Sequence, residues 1–265
     1  MKDRIFQHLN EIEQEEQVKV FYACESGSRA WGFPSADSDY DVRFLYLHPR
    51  DWYLSIDVER KRDVIERPLT GMLDLSGWDL RKALQLLRKG NPPLVEWLGS
   101  PIIYREQFTV AAQLRALAAN NYSPIASLFH YLHMAQGNYR DYLKGPVVWI
   151  KKYFYVLRPL LAIKWLERDL GVVPTEFVVL VDKTVDSLEF KRAIEKLVEA
   201  KRRGEELDRG PRIDVISDYI ESELARLENI QFGDEYINPV GPVHDFNQVF
   251  RAALDEVWLQ AEPNS

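Results

Sequence analysis

Hydrophobic and polar positions follow two different periods in the first part of the chain. Between Lys2 and Glu16 apolar residues recur every three or four positions, which predicts an amphipathic helix. The apolar run from Val18 to Cys24 is rich in β-forming residues and predicts a buried strand. Alternation with a period of two predicts a second strand at 40–47, and weaker patterns predict strands at 61–67 and 71–76.

Helical spacing dominates the rest of the chain. Asp79 is placed to cap a helix that ends at Gly90, and Asn91-Pro92 starts a short helix that ends near Leu98. Further helices are predicted at 123–168, 189–200, 213–229 and 243–259. This change from mixed to purely helical patterns predicts an α+β chain with two domains. The first, at 1–120, is a mixed β-sheet with flanking helices, and the second, at 121–265, is all-α.

Composition narrows the function classes. The 265 residues contain no apolar run long enough for a transmembrane helix and no apolar signal core at the N-terminus, and the single cysteine, Cys24, allows no internal disulfide. A cytoplasmic protein with no membrane partner is therefore expected. The 34 basic and 41 acidic residues give a net charge of -7, which argues against a surface coated for nonspecific nucleic-acid binding but leaves room for a local basic groove.

The candidate chemistry lies between the first two predicted strands. The turn Gly27-Ser28 follows the first strand, and glycine there allows a phosphate to approach free backbone N–H groups. Asp39 and Asp41 are two residues apart at the second strand, so both carboxylates point to the same side. Two such carboxylates repel unless a cation lies between them, and Mg²⁺ binds carboxylates together with substrate phosphates.

A two-metal site requires a further carboxylate. The candidates downstream are Asp63, Glu66, Asp74 and Asp79. Asp79 is already explained as a helix N-cap, whereas Asp74 lies on an apolar strand, where a carboxylate is costly unless it is paired or bound to a metal. Asp74 is the preferred third ligand.

These residues resemble a known superfamily. Gly27-Ser28 followed by Asp39-Tyr40-Asp41 resembles the nucleotidyltransferase fold of the DNA polymerase β superfamily. The longer strings, 25–32 and 38–43, resemble a bacterial and phage subgroup of predicted nucleotidyltransferases, some of them linked to RNA-repair operons. The resemblance covers 18–98 well and 139–166 loosely, and the subgroup's pattern also places the third carboxylate at Asp74.

The resemblance implies an activity and a fold. It implies an N-terminal nucleotidyltransferase domain and a C-terminal helical domain that binds the nucleotide and acceptor. It implies transfer of a nucleoside monophosphate from an NTP such as ATP to an acceptor hydroxyl, with two Mg²⁺ ions, or Mn²⁺, held by Asp39, Asp41 and Asp74. Gly27 and Ser28 would hold the β- and γ-phosphates, and Arg29 would either steer the phosphate or pair with a nearby aspartate.

A helical face in the second domain carries cations and a tyrosine. Lys152, Tyr155 and Arg158 follow one another at intervals of three residues, so they share one side of a helix. In one interpretation the two cations bind the triphosphate and the tyrosine contacts the nucleotide. The other makes them ordinary interface residues whose apolar stems pack while their heads stay in water.

The sequence does not decide which molecule accepts the nucleotide, or whether the protein turns the nucleotide over at all. An RNA 3′ end is favoured as acceptor through the subgroup resemblance and the basic, aromatic helix. A protein hydroxyl that receives AMP is the second candidate, and a small molecule of the aminoglycoside type is the third. A module that binds nucleotide without turning it over is the alternative from a different class. The sequence does not indicate an oligomeric state.

Overall fold

The computed structural model describes residues 1–205, 207–228 and 241–259 of the chain, which divides into two compact units. The first unit contains Met1–Ala30, Asp39–Tyr122 and, from the C-terminal segment, the described residues 241–259. The second contains Trp31–Ser38 and the described residues between 123 and 228. In the described part, no helix is both long and apolar enough to cross a bilayer.

The strands are β1 (Lys19–Glu25), β2 (Tyr40–Leu47), β3 (Val64–Thr70), β4 (Leu73–Asp79), β5 (Ile103–Glu106), β6 (Val147–Trp149) and β7 (Arg209–Pro211). The helices are α1 (Lys2–Glu16), α2 (Gly27–Ala30), α3 (Arg50–Tyr53), α4 (Leu80–Arg88), α5 (Pro92–Leu98), α6 (Val110–Asn120), α7 (Pro124–Tyr142), α8 (Lys152–Glu167), α9 (Phe177–Thr184), α10 (Leu188–Arg202), α11 (Asp214–Glu228) and α12 (Val243–Trp258).

The first unit is built on a mixed five-stranded sheet with helices on both faces, which confirms the predicted α+β class. The strand order is β3-β4-β2-β1-β5, in which β2 and β4 are parallel and the other neighbours are antiparallel. Apolar residues of α1 cover one face of the sheet, and residues of α4, α5, α6 and α12 cover the other. Alternation along β2 produces this arrangement, since Val42, Phe44 and Tyr46 join the first core whereas Leu45 and Leu47 join the second.

The second unit is organised around α8, whose residues are buried on nearly every side. Its buried positions run almost without interruption from Tyr153 to Ile163. A helix that is apolar all round belongs in the interior, and α8 packs against α7, α9 and α11. The short β6 and β7 strands pair with each other in the same unit.

The predicted helix at 123–168 is wrong as a single element. The structure replaces it with α7, the short strand β6 and α8. Gly145, at φ 98°, precedes Pro146, so one residue leaves the helical region and the next has no backbone N–H to continue the ladder. Pro159, by contrast, stays inside α8.

Other elements were not predicted, or end differently. The strands β5, β6 and β7 and the helices α6 and α9 have no counterpart in the sequence pattern. They are short or weakly amphipathic, so their tertiary neighbours rather than their periodicity fix them. The predicted helix at 213–229 corresponds to α11, and its last residue, Asn229, lies outside the described residues.

The observed units differ from the predicted domains at two segments. Residues 31–38 lie in the first predicted domain but pack with the second unit, whereas 241–259 lie in the second predicted domain but pack with the first. Phe33 explains the first difference, because its ring stacks on Phe154 at 4.5 Å. Buried residues of α12, among them Phe246 and Val257, explain the second, because they complete the core under α4 and α6. Residues 229–240 and 260–265 of the predicted helical domain lie outside the described residues.

Candidate active site

Parallel pairing of two strands brings Asp41 and Asp74 side by side. They are register partners, and each is the second residue of its strand. Leu73 and Leu75 point into the core under α1, so Asp74, which lies between them, faces the opposite side of the sheet, as Asp41 does next to Val42. The two carboxylates therefore share one face at one end of the sheet.

Arg43 connects these two carboxylates. Its Nη2 atom donates to Asp74 Oδ2 at 2.8 Å and lies 3.5 Å from Asp41 Oδ1. The guanidinium is only partly exposed, so the charge of the pair is less screened by water than that of a surface ion pair. Sequence analysis did not select Arg43, although its spacing of two from Asp41 places it on the same face of β2.

Glu25 fixes the backbone of Asp41 from the neighbouring strand. Its side chain is completely buried, and its Oε1 atom accepts a hydrogen bond from the Asp41 backbone N–H at 2.7 Å. The Tyr104 hydroxyl donates to Oε2 of the same carboxylate. Burial raises the pKa of Glu25, and these hydrogen bonds oppose part of that rise. Sequence analysis also missed this residue, since a glutamate at the end of a strand carries no signal by itself.

The Gly27 turn lies directly against the Asp41 carboxylate. Gly27 has φ 58°, a left-handed conformation that glycine adopts without steric cost. A Cβ atom at this position would lie 2.0 Å from Asp41 Oδ2, so a larger residue would force the Asp41 carboxylate to move. The backbone of Ser26 also donates to the Asp41 carbonyl at 2.8 Å. Ser28 follows in α2 and is half-buried.

Asp39 and Arg29 form a separate contact beside this cluster. Asp39 immediately precedes β2 and is exposed. Its carbonyl oxygen accepts a hydrogen bond from Arg29 Nε at 3.1 Å, and the Arg29 guanidinium lies 3.6 Å from the centre of the Tyr40 ring. Arg29 is thus held against the strand that carries Asp41 by the Asp39 carbonyl and the Tyr40 ring.

The other three candidate carboxylates have different partners. Asp63 pairs with Lys82 at 3.0 Å, and Glu66 pairs with Arg62 at 2.8 Å on the surface. Asp79 accepts from the Arg81 backbone N–H at 2.8 Å as the N-cap of α4 and from the Tyr53 hydroxyl at 2.6 Å. Burial raises the pKa of Asp79 to about 7. Of the four candidates, Asp74 is the one that pairs in register with Asp41.

The carboxylates of this cluster are chemically suited to bind a hard divalent cation, but their arrangement is not yet that of a metal site. Asp41 and Asp74 offer the carboxylate oxygens that Mg²⁺ prefers, and they already share one cation, the Arg43 guanidinium. Within the described ranges, however, no three side chains of His, Cys, Asp or Glu are grouped so that they could hold one metal ion. Binding there would require Arg43 to yield its place and Asp39 to turn toward the pair.

The three candidate residues of α8 lie in the second unit. Lys152 Nζ lies 4.3 Å from the centre of the Tyr142 ring and 4.5 Å from that of Tyr155. Burial, and then the neighbouring Lys151, lower the pKa of Lys152. Arg158 is almost completely buried, with 2% of its surface exposed. The predicted common face is therefore observed, but its cations differ greatly in access to water.

Trp31 joins these side chains within the second unit. Its ring meets Tyr155 edge-on at 5.5 Å, and the Arg158 guanidinium lies 5.2 Å from its centre. The Trp31 carbonyl accepts from the Phe177 backbone N–H at 3.0 Å. Sequence analysis read this tryptophan only as part of the motif that contains Gly27, and the signal was its place between the Gly27 turn and Asp39.

Comparisons with known proteins identify the family of this chain. A family model described as RlaP, RNA repair pathway DNA polymerase beta family, matches residues 1–251. An uncharacterized protein, YcgL, of Bacillus subtilis (strain 168) is 56% identical over 259 residues, which cover 97% of this chain and 98% of that protein. A solved nucleotidyltransferase-like protein from Exiguobacterium sibiricum 255-15 aligns with 94% of this chain and 76% of its own, at 13% identity and a TM-score of 0.32. A superposition that loose carries no argument.

Proposed function

The chain belongs to the RNA repair pathway DNA polymerase beta family, and on that premise we propose that it transfers a nucleoside monophosphate from an NTP to the 3′ hydroxyl of an RNA. The observation that supports this most directly is the register of β2 and β4, which places Asp41 beside Asp74 while the Gly27 turn lies on the Asp41 carboxylate. Carboxylates and a phosphate-sized backbone turn are then adjacent, as transfer of a phosphoryl group requires.

The reaction forms one bond and breaks one. The acceptor oxygen bonds to the α-phosphorus of the NTP, and the bond from that phosphorus to the bridging oxygen of the β-phosphate breaks, so that pyrophosphate leaves. Asp74 accepts the proton of the acceptor hydroxyl as a general base. Arg43, which holds Asp74 at 2.8 Å, orients this carboxylate before substrate arrives.

Asp39, Asp41 and Asp74 are the residues that would hold two Mg²⁺ ions, with Mn²⁺ as a substitute. Bound there, the metal would neutralise charge on the triphosphate and lower the pKa of the acceptor hydroxyl. Glu25 holds Asp41 in position by accepting a hydrogen bond from the Asp41 backbone N–H. This hydrogen bond is made by the Asp41 backbone and not by its carboxylate.

The predicted nucleotide-binding residues are Gly27, Ser28 and Arg29 in the first unit, and Lys152, Tyr155 and Arg158 in the second. Gly27 and Ser28 would hold the β- and γ-phosphates through backbone N–H groups and the serine hydroxyl, with Arg29 close by. Lys152 and Tyr155 would contact the nucleotide, the first as a cation and the second by stacking. Arg158 would act from the interior, because its guanidinium supports the Trp31 ring that meets Tyr155.

The proposal is tested by following label from each α-labelled NTP into pooled RNA or protein in the presence of Mg²⁺ or Mn²⁺. Asp41→Asn should abolish transfer and leave the thermal unfolding midpoint close to that of the wild type, because the amide is the same size. Asp63→Asn is the matched control, since Asp63 was a candidate third carboxylate but pairs with Lys82. It should keep transfer, whereas Asp74→Asn should lose it.

The outcomes separate the alternatives. Label in RNA supports the RNA 3′ end as acceptor, and label in protein supports AMP transfer to a side-chain hydroxyl. No label in either, with NTP still bound, favours a small-molecule acceptor or a module that binds nucleotide without turnover. Full activity of Asp41→Asn would exclude the assigned site.

Metal binding is tested separately from activity. In Arg43→Met the Asp41 and Asp74 carboxylates lose their shared cation, so the midpoint of thermal unfolding should fall in the absence of divalent ions. Addition of Mg²⁺ should then raise that midpoint by more than in the wild type, because the metal supplies the missing charge. An equal rise in both proteins would contradict metal binding at this pair.

A further inference from the structure

A groove on the first unit lies between α4 and α12, and none of the residues assigned to the candidate active site lines it. It has a volume of about 390 Å³. Arg81, Arg88 and Lys89 line its α4 side, and Phe246 and Phe250 contribute from α12. Its size suits a single nucleotide unit rather than a folded protein segment.

The charge of this groove is opposite to that of the molecule. Three of its lining residues are cationic and none is acidic, in a chain whose net charge is -7. Arg81 pairs with Glu59, but neither Arg88 nor Lys89 forms an ion pair with any residue that the structure describes. A concentration of unneutralised cations in a concave surface attracts polyanions.

Arg88 supplies a second, independent observation. Its Nε atom is buried and has no hydrogen-bond partner among the described atoms. Burial of this donor without a partner is costly, and the Arg88 side chain as a whole is only partly buried where it lines the groove. A phosphate oxygen is an acceptor that a guanidinium binds well.

The remainder of the lining fits a nucleotide. Phe246 and Leu84 form a buried apolar floor, and Phe250 is partly exposed beside them. Gln85 and Asn247 add exposed amides at the edge. An apolar and aromatic floor with cations and amides around it is the combination that single-stranded nucleic acid uses for base contact and backbone contact together.

One part of the groove follows the end of β4 that is opposite the candidate active site, because Arg81 lines the groove two residues after Asp79. Asp74 is near the start of this strand, and Asp79 ends it and caps α4. Five residues of extended strand span about 16 Å. Asp74 and the Arg81 side of the groove therefore lie near opposite ends of this strand.

We propose that this groove binds the phosphodiester backbone of an RNA strand at a distance from the strand's reacting end. The proposal rests on the proposed function for the identity of the RNA as substrate. Arg88 and Lys89 contact phosphates, and Phe250 contacts a base. The groove supplies the affinity for long acceptors that a chain with a net charge of -7 otherwise lacks.

The test compares RNA binding by two proteins with equal changes in charge. Arg88→Glu/Lys89→Glu alters the groove, and Lys2→Glu/Arg4→Glu reverses two exposed cations on α1 of the same unit. Anisotropy of a labelled single-stranded RNA is measured over a range of salt concentrations, in the Asp41→Asn background to prevent turnover. The groove variant should bind about tenfold more weakly at low salt, and its salt slope should fall by about 0.7 for each lost phosphate contact.

Folding of the groove variant is controlled with a milder change. A glutamate in the last turn of α4 opposes the helix dipole, so Arg88→Gln/Lys89→Gln is measured in parallel and should show the same direction of effect. Equal RNA affinity of the groove and α1 variants would overturn the proposal. So would a wild type that does not bind RNA, or competition by polyglutamate as strong as that by RNA.

Transfer to a dinucleotide separates this proposal from the proposed function. On this proposal a dinucleotide at Asp74 does not extend into the groove, so the groove variants should modify it at the wild-type rate while they modify long RNA more slowly. Transfer without groove-dependent binding would overturn the proposal that the groove binds RNA, and would still support the proposed activity. Groove-dependent binding without transfer to any RNA would instead overturn the activity.

Discussion

At the scale of single residues, the site depends on a glycine that serves two purposes. Gly27 has a positive φ and also leaves room for the Asp41 carboxylate. The two requirements are separable, because Gly71 has φ 67° but open space where its Cβ would lie. The chain therefore contains its own control for the effect of backbone conformation alone.

Gly27→Ala should lower stability and nucleotide binding, whereas Gly71→Ala should lower only stability. Each alanine in the left-handed region costs about 1–2 kcal/mol. Only at Gly27 does the new Cβ also displace Asp41 Oδ2, which it would meet at 2.0 Å. Chemical denaturation and NTP binding measured on both variants check this. Equal NTP affinity of the two variants would contradict a role for the turn in the site.

Asp79 gives a residue-scale prediction for the dependence of stability on pH. Burial raises the pKa of Asp79 to about 7, above the value of about 3.9 in an unfolded chain. Between these values the folded protein keeps a proton that the unfolded chain has released. This residue therefore makes the free energy of unfolding fall as pH rises from about 4 to about 7.

Asp79→Asn should remove this dependence. Asparagine still caps α4, but it carries no titrating proton, so the variant should lose less stability than the wild type between about pH 4 and about pH 7. Urea denaturation at several pH values measures the difference. Asp51→Asn, at the exposed start of α3, is the control and should follow the wild type. A parallel pH profile for Asp79→Asn would show that the buried carboxyl does not titrate in this range.

At the scale of elements, the parallel pair β2 and β4 carries the candidate site, and one side-chain contact between the two strands depends on a glycine. Gly77 is the register partner of Phe44, and a Cβ at Gly77 would lie 2.2 Å from the Phe44 ring. The ring therefore covers the glycine, and the strand needs a residue without a side chain there.

Gly77→Ala should cost about 1–3 kcal/mol of stability, because the new methyl group overpacks the core. In a Phe44→Leu background the same change should cost less, since the smaller side chain leaves room. Urea denaturation of the four proteins gives the coupling energy as a double-mutant cycle. An unchanged cost of Gly77→Ala in both backgrounds would mean that the ring does not limit this position.

At the scale of the whole molecule, the two units are interleaved in sequence. The segment Trp31–Ser38 leaves the first unit to pack in the second, and 241–259 returns to the first. A cut at the boundary predicted from sequence, near residue 120, therefore separates core residues from their partners. The candidate phosphate turn and Asp39 flank a segment that belongs to the helical unit, in which Phe33 stacks on Phe154 of α8.

A fragment of residues 1–122 should fail to unfold cooperatively, because it lacks the α12 residues that complete the core beside α4 and α6. Circular dichroism during heating should give a broad, shallow change instead of a sharp transition. A synthetic peptide of residues 241–259, added in excess, should restore a concentration-dependent transition. Cooperative unfolding of the fragment alone would contradict a structural requirement for α12.

Local pattern determined much of the first unit. The spacing of Ile5, Leu9 and Ile12 determined α1, and the alternation along 40–47 determined both β2 and the faces to which its residues point. The Gly27-Ser28 and Asp39-Tyr40-Asp41 motif indicated the family, which the comparison over residues 1–251 confirms. These features lie within one element or one short stretch of chain, where conformational preference and period act directly.

Only the tertiary structure decided which distant groups meet. Strand pairing joined Asp41 to Asp74, placed Arg43 between them and brought Glu25 under the Asp41 backbone. Packing also assigned Trp31–Ser38 to the helical unit and α12 to the sheet. A sequence period states which side of an element is apolar but not which other element covers it. That choice follows from the fit of buried side chains between segments far apart in the chain.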